Sequence, residues 1–293
     1  MLQHTLYLES NYQKEEYMRT IIYDNELKLE AYRLNGIIPS FPNHFHENYV
    51  IGYVKHGKRV LLCKNKEYTI NDGFIVIFNP GDNHSCAQKE ESTLEYCGLN
   101  ISKNIMLSLT EKLTGQHEMP CFSQNVIYDK KLFHHLHTIH KTIMDKTPDT
   151  KKEENLLLFF SSIIQKYGLS CNTTASEYKC EIERVCNFMK KHYTEHISLE
   201  QLCRNAGLSK SSLLRIFTKT KGVTPYRYLE NIRINKAKKL LANGVFPIDV
   251  SIQTGFSDQS HFTNYFTKFV GLPPGVYRSI FLNSDKDGEN HEK

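Results

Sequence analysis

IDVSIQTGFSDQSHFTNYFTKFVGLPPGVYR, residues 248–278, sets the frame for reading the rest of the chain. Pro247, just ahead of it, suits the first position of a helix, where its missing N–H costs nothing. Val250 and Ile252 are expected to face a core, and Gly255 to make a turn. Ser257 can cap a second helix. In that helix Phe262, Tyr265 and Phe266 fall on one face, leaving Gln259, Ser260, His261, Thr263 and Asn264 outside. Two short helices joined by a glycine turn, the second with a polar outer face, make a helix-turn-helix.

The pattern occurs twice. Gly207-Leu208-Ser209 returns as Gly255-Phe256-Ser257, 48 residues later. One inserted residue then moves the offset to 49, matching Phe217 with Phe266, Gly222 with Gly271, Pro225 with Pro274 and Tyr228 with Tyr277. Two copies are too few for a solenoid, so they read as a duplicated helix-turn-helix at about 199–220 and 247–269. In the first copy Ser198-x-x-Gln201 is a capping box that starts a helix over Leu199–Ala206. Ser209 then caps a helix running to about Lys221. Its inner stripe is Leu213, Ile216 and Phe217. Its outer face carries Lys210, Ser211, Leu214, Arg215 and Thr218. Between the copies Pro225 opens a helix through Leu241, closed by Asn243-Gly244. Some eighteen residues at about 1.5 Å each span roughly 27 Å. Successive major grooves on one face of DNA are about 34 Å apart, so such a helix can hold two reading heads in neighbouring grooves.

Charge points the same way. Residues 178–282 hold 16 Lys and Arg against 7 Asp and Glu, a net of +9, while 1–177 and 283–293 are each −2. A basic block on a near-neutral partner implies a polyanion ligand; a solvated basic surface is the plain alternative. Arg on guanine, and Gln or Asn on adenine, are the base contacts these outer faces could make.

The N-terminal half reads as strands: Asn48–His56, Arg59–Cys63, Tyr68–Ile70, Phe74–Phe78 and Leu94–Ile101, separated by Gly, Asn and Pro. That suggests an all-β barrel or sandwich. Asp129–Lys146 and Glu153–Tyr167 read as amphipathic helices, and 169–177 as a linker. The chain is 293 residues, 40% apolar and 24% charged, which suits two folded domains and excludes a wholly disordered or collagen-like chain. No 18-residue apolar window is present, so no membrane span is expected. The N-terminus lacks an apolar signal core, and eight cysteines without a C-x-x-C pair suit reduced thiols in the cytoplasm.

Residues 182–281 resemble the DNA-binding domain of the AraC/XylS transcription regulators, on the two stretches 197–229 (ISLEQLCRNAGLSKSSLLRIFTKTKGVTPYRYL) and 248–278. The resemblance implies a seven-helix domain that reads two major-groove segments. Position by position, the first reader uses Lys210, Ser211, Leu214 and Arg215, and the second uses Gln259, Ser260, Thr263 and Asn264. Leu214 departs from the polar residue often found there and would suit a thymine methyl. Lys210, Lys219, Lys221, Arg227 and Lys268 would meet phosphates. The N-terminal half resembles the cupin-type sensor domain of the same family. Its motifs are His44-Phe45-His46 before a strand and Gly57, then Gly73-x5-Asn79-Pro80-Gly81-x2-His84. The usual Glu three or four residues past the second His is absent, with Tyr49 and Val50 in its place and Glu47 directly after His46.

The implied architecture is α+β in two domains. Residues 1–168 form a cupin (jelly-roll) β-barrel plus helices at about 129–167. Residues 169–177 link it to an all-α double helix-turn-helix domain at 178–282, and 283–293 form a disordered tail. The implied function is a transcription regulator, an activator by family habit. It would bind promoter operator DNA as a homodimer, meet RNA polymerase and respond to a small molecule in a pocket of His44, His46, Glu47 and His84. It would need no cofactor. The Leu/Phe stripe at 156–164 would serve as dimer interface, and the arm at about 1–20 or the linker would carry the signal. Three imidazoles can also hold Zn²⁺ or Fe²⁺. A metal-dependent cupin enzyme, or a metal-responsive sensor using His44, His46 and His84, is therefore the competing reading.

Two other patterns are discounted. Gly52-x4-Gly57-Lys58 looks like a phosphate loop, but Arg59 replaces the required Ser/Thr and no helix follows. His134-His135-x-His137-x2-His140 reads as a solvated helix face.

Overall fold

The structure is a computed structural model, and it describes residues 17–36, 40–87, 93–169 and 179–288. The expected linker beyond Leu169 and the first sixteen residues of the N-terminal arm lie outside them. The chain divides into two compact units, Met1–Phe41 with His46–Cys171, and Pro42–Phe45 with Asn172–Lys293.

The N-terminal part is built from β1 (Tyr17–Asp24), β2 (Leu29–Gly36), β3 (Phe41–His44), β4 (Tyr49–His56), β5 (Arg59–Cys63), β6 (Lys66–Ile70), β7 (Phe74–Phe78), β8 (His84–Ala87) and β9 (Leu94–Ile101). After these come α1 (Lys103–Thr114), β10 (Cys121–Phe122), β11 (Val126–Tyr128), α2 (Lys130–Met144), α3 (Lys152–Tyr167) and β12 (Gly168–Leu169). A six-stranded sheet runs β1-β2-β9-β4-β7-β11, and a four-stranded sheet runs β3-β8-β5-β6. The pairs whose registers are described are antiparallel. Lys64 and Asn65 take positive φ between β5 and β6, as a two-residue hairpin turn requires.

Because side chains alternate along a strand, the six-stranded sheet has two chemically different faces. Tyr49, Ile51, Tyr53, Ile75, Ile77, Cys97, Leu99 and Ile101 point to one face and pack against α1, α2 and α3. Val50, Gly52, Val76, Phe78, Gly98 and Asn100 therefore point to the other. Phe78 stacks there on His84 of β8 at 3.6 Å, so this is where the two sheets face each other and enclose a barrel interior.

Leu156, Phe160 and Ile163 of α3 are almost wholly buried in this core, with Leu157 and Ile164 packed at its edge. The stripe expected to pair two copies is thus spent inside one. A helix covering a sheet must bury one face, and this is that face. The histidine face of α2 is not simply solvated either. His140 is buried; its Nε2–H donates to the Tyr32 carbonyl at 2.9 Å, and its Nδ1 faces the Tyr53 hydroxyl at 3.3 Å. His137 Nδ1 lies 2.9 Å from the same hydroxyl.

The second unit holds α4 (Lys179–Lys191), α5 (Leu199–Ala206), α6 (Lys210–Lys221), α7 (Pro225–Ala242), α8 (Pro247–Gln253), α9 (Gln259–Val270) and α10 (Pro274–Gly288). Ser198 and Gln201 form the capping box of α5. Ser209 accepts from Ser212 N at the start of α6, and Thr224 caps α7 with Pro225 in its first turn. Leu213, Ile216, Phe217, Tyr228 and Ile232 pack with α4 and α5 into one core, which Phe45 joins.

Three expectations are corrected here. Asp258, not Ser257, caps α9: its carboxylate accepts from His261 N at 2.6 Å, and Ser257 donates to it. Ile252 is 72% exposed, because a seven-residue helix has room for little more than one inward stripe and Val250 takes it. Helix α10 continues past Leu282 to Gly288, into the stretch expected to be a disordered tail.

Candidate nucleic-acid interface and effector pocket

The two reading helices are set by their glycine turns. Gly207 (φ +70°) and Gly255 (φ +76°) take the left-handed conformation that ends α5 and follows α8. At Gly255 a Cβ would come 2.6 Å from the Thr194 carbonyl oxygen, so the turn excludes any side chain. Each turn frees the next helix to leave at an angle with its apolar stripe inward: Leu213, Ile216 and Phe217 in α6, Phe262, Tyr265 and Phe266 in α9.

What remains outside matches most of the residues singled out by sequence. Lys210, Ser211, Leu214, Arg215 and Lys219 are exposed on α6, and Lys221 is half-buried at its end. Gln259, Ser260, Asn264 and Lys268 are exposed on α9, with Thr263 half-buried. Two cations are already engaged. Lys210 pairs with Glu200 of α5, and that partner raises its pKa. Arg227, whose side chain is 44% exposed, is also held from within: its Nη1 donates to Glu230 at 3.1 Å and to the Tyr265 hydroxyl at 2.9 Å. Tyr265 donates to the same buried Glu230 carboxylate, so Arg227 completes a network that ties α7 to α9.

The histidines form the second site. His44, at the end of β3, and His84, at the start of β8, lie on neighbouring strands of the four-stranded sheet. With His46 they bring one ring nitrogen each within 4.8 Å of one another. His44 Nδ1–H donates to the Pro42 carbonyl at 2.7 Å, and His84 Nδ1–H to the Asp82 carbonyl at 3.0 Å. Carbonyls only accept, so both rings carry hydrogen on Nδ1 and present Nε2 as acceptor or metal ligand. Such backbone anchoring is how imidazole ligands are oriented. Glu47 is half-buried and outside this donor set. Three imidazoles fit a borderline cation such as Zn²⁺, and they equally fit a ligand rich in hydroxyl donors. Sequence reading overlooks Asp82. Its Oδ2 accepts from Asn79 and Asn125, and Lys64 pairs with its other oxygen, which fixes the loop before His84. The signal is there in Asn79-Pro80-Gly81-Asp82, a turn with an acid at its end.

A β-rich sensor-like unit and a duplicated helix-turn-helix together define a ligand-responsive DNA-binding regulator. Residues 202–280 match the family described as helix-turn-helix domain, and residues 26–160 match the AraC-like ligand binding domain. The HTH-type transcriptional regulator YbfI of Bacillus subtilis is 44% identical over 244 residues, covering 83% of this chain and 89% of that one. The HTH-type transcriptional activator RhaS of Escherichia fergusonii is 23% identical, covering 82% and 88%. Among solved structures, ToxT of Vibrio cholerae shares the fold with a TM-score of 0.53 and 17% identity, over 90% of this chain and 98% of that one. The chain belongs to the AraC family of transcription regulators. No helix among the described residues is long and apolar enough to cross a membrane.

Proposed function

We propose that this chain is a cytoplasmic transcription activator and not an enzyme. It reads promoter DNA through α6 and α9 and is controlled by a small molecule bound among His44, His46, Glu47 and His84. The observation that carries the reading is the repeated frame: two capped helices, each after a glycine turn, each with its polar face exposed. Lys210, Ser211, Leu214 and Arg215 would meet one major-groove segment, and Gln259, Ser260, Thr263 and Asn264 the next. Lys219, Lys221 and Lys268 would hold phosphates. In this reading the protein acts as a homodimer. With the inner stripe of α3 buried, the pairing face is its outer side, where Leu158 is exposed. RNA polymerase is the protein partner, and the exposed Ile248 and Ile252 of α8 are open to it. The effector acts to the extent that it binds one conformational state better than the other.

Selection of bound sequences from a random duplex library by the full chain tests this. Two conserved blocks about 10–10.5 bp apart would support two reading helices at work. Salt-sensitive binding without enrichment would refute sequence-specific reading.

The convergence of three imidazole nitrogens favours a second reading, in which the effector is a divalent metal. Zinc titration and elemental analysis of protein purified without chelator decide it. One equivalent of metal, lost in His84→Ala and altering DNA affinity, would support a metal sensor. No bound metal would refute it.

A further inference from the structure

Helix α7 packs against both reading helices and holds each in a different way. Its Tyr228 meets Phe217 of α6 edge-on, with ring centroids 5.4 Å apart. That contact is apolar, since Leu213, Ile216, Phe217 and Tyr228 share one core. Toward α9 the same helix presents a carboxylate. Glu230 is 3% exposed, and its Oε2 accepts from the Tyr265 hydroxyl of α9 and from Arg227 Nη1 at 3.1 Å. Arg227 Nη1 also donates to the Tyr265 oxygen at 2.9 Å, which closes a triangle. Tyr226 hydrogen-bonds to the same carboxylate, and Arg233 is close enough to feel its charge. Burial, and after it the Glu230 bond, raise the Tyr265 phenol, so it remains a donor. At the 49-residue offset that relates the two copies, Tyr265 corresponds to Ile216, so α6 carries no hydroxyl at the matching place.

An apolar contact sets how deep a helix sits but tolerates rotation. A hydrogen bond to a buried carboxylate is directional, and losing a partner there leaves a charge poorly paired. The entry of α9 is already fixed. Arg233 lies over the Phe256 ring, 5.9 Å from its centroid, and donates to the Tyr193 and Glu195 carbonyls at 2.8 and 3.0 Å. What is left to set is the roll of α9 about its own axis, and Tyr265 directly follows the outward Asn264. A helix with its side chains is about 10–12 Å across, so a roll of about 10° moves its outer groups by about 1 Å. A shift of that size breaks a bidentate bond to a base edge.

We propose that Glu230 is a positioning residue for DNA reading. Through Tyr265, and with Arg227 bracing both, it fixes the roll at which α9 offers Gln259, Ser260, Thr263 and Asn264 to the bases. Glu230 touches no base itself. The first reader, held by apolar contacts, does not depend on it. The role presupposes that α6 and α9 read DNA as proposed above.

The test is selection from a random duplex library by the full chain, followed by affinity for the selected site with either conserved block scrambled. The block in which Asn264→Ala relaxes a position belongs to α9. Tyr265→Phe removes one oxygen and keeps the ring that stacks on Phe269. Glu230→Met fills the same space without charge, a replacement that buried ionic networks often tolerate. In each variant, preference for the intact over the scrambled α9 block should fall at least about tenfold. Preference at the α6 block should stay within about twofold. Glu230→Gln keeps an oxygen for both donors and should retain the α9 block. Thermal unfolding shows which variants are folded, and Glu230→Met decides if Tyr265→Phe is not. Full preference at the α9 block in a folded variant, or equal loss at both blocks, overturns the proposal. So does a loss in Glu230→Gln equal to that in Glu230→Met. A wild-type chain that enriches no motif would be a different result: the reading of α6 and α9 would fail, and this role with it.

Discussion

In the β-rich unit Arg59, His84 and Asn100 are buried and turned inward, whereas in the helical unit Lys210, Arg215, Gln259 and Asn264 stand exposed on two helix faces. Burying a polar group costs free energy unless a partner is supplied, and exposing one costs little. A unit that keeps its polar groups inside is arranged for a ligand small enough to enter. A unit that keeps them outside, on convex helices, is arranged for a partner larger than itself. The contrast agrees with the proposed reading, in which the small molecule belongs to the first unit and the duplex to the second.

The largest expected effect tests whether the helical unit really splits into an inner and an outer face. Phe217→Ala and Phe266→Ala, both at fully buried positions, should each cost about 3–5 kcal/mol of stability in denaturant unfolding. Leu214→Ala, on the exposed side of α6, should change stability by less than about 0.5 kcal/mol. A small loss at Phe217 or Phe266 would break the division.

That division is legible in the sequence because a 3.6-residue period over twelve residues fixes the phase of a helix; α6 and α9 lie where the apolar spacing puts them. In α8, with seven residues, the phase is ambiguous, and the spacing places Ile252 on the wrong side. Five strands of the β-rich unit are visible as β-branched runs. β1 and β2 are not, since Arg19, Arg33 and Glu30 interrupt their apolar residues. α1 also escapes, although Ser102 caps it and Ile105, Met106, Leu109 and Leu113 give it a stripe. The role of Arg227 cannot be read at all, because its partners Glu230 and Tyr265 meet only once α7 and α9 pack. Arg59 stands out in the sequence merely as the wrong residue for a phosphate loop. Its burial depends on pairing with β8, which is not local.

The next effect sharpens the inward half of the comparison. Burial lowers His140 to about 4 from an ordinary value near 6.5, the Tyr32 carbonyl bond opposing it. The neutral ring is the folded form, so between those two values the unfolded chain binds more protons. Stability is complete above about pH 6.5 and falls as pH drops toward 4, by about 3 kcal/mol from this group. His140→Gln should flatten that part of the profile of midpoint against pH. An unchanged profile would remove His140 as its source.

Smaller effects distinguish the two reading helices. Arg215→Ala and Asn264→Ala should each cost about 1–3 kcal/mol of binding and relax one base position. The position should be a G·C pair for Arg215 and an A·T pair for Asn264, because a guanidinium pairs with guanine O6 and N7 and an amide with adenine N6 and N7. Equal loss on every sequence would turn either residue into a backbone contact.

The smallest effect concerns Lys219, exposed on the last turn of α6. If α6 enters a major groove as proposed, a lysine there would sit beyond the residues that reach base edges and near the strand that borders the groove. Its contribution should be release of about one counterion from the duplex, the same for any sequence. Lys219→Ala should therefore reduce the slope of log affinity against log salt by about 1 and leave the ranking of binding sites unchanged. Lys210 gives the contrast on the same helix, since it must first leave Glu200. Lys210→Ala should lower the slope by less than Lys219→Ala does, and Glu200→Gln should raise affinity at low salt by releasing Lys210 to the phosphates. If Lys219→Ala leaves the slope unchanged, the end of α6 points away from the DNA, and the outward face of this unit is narrower than its charge suggests.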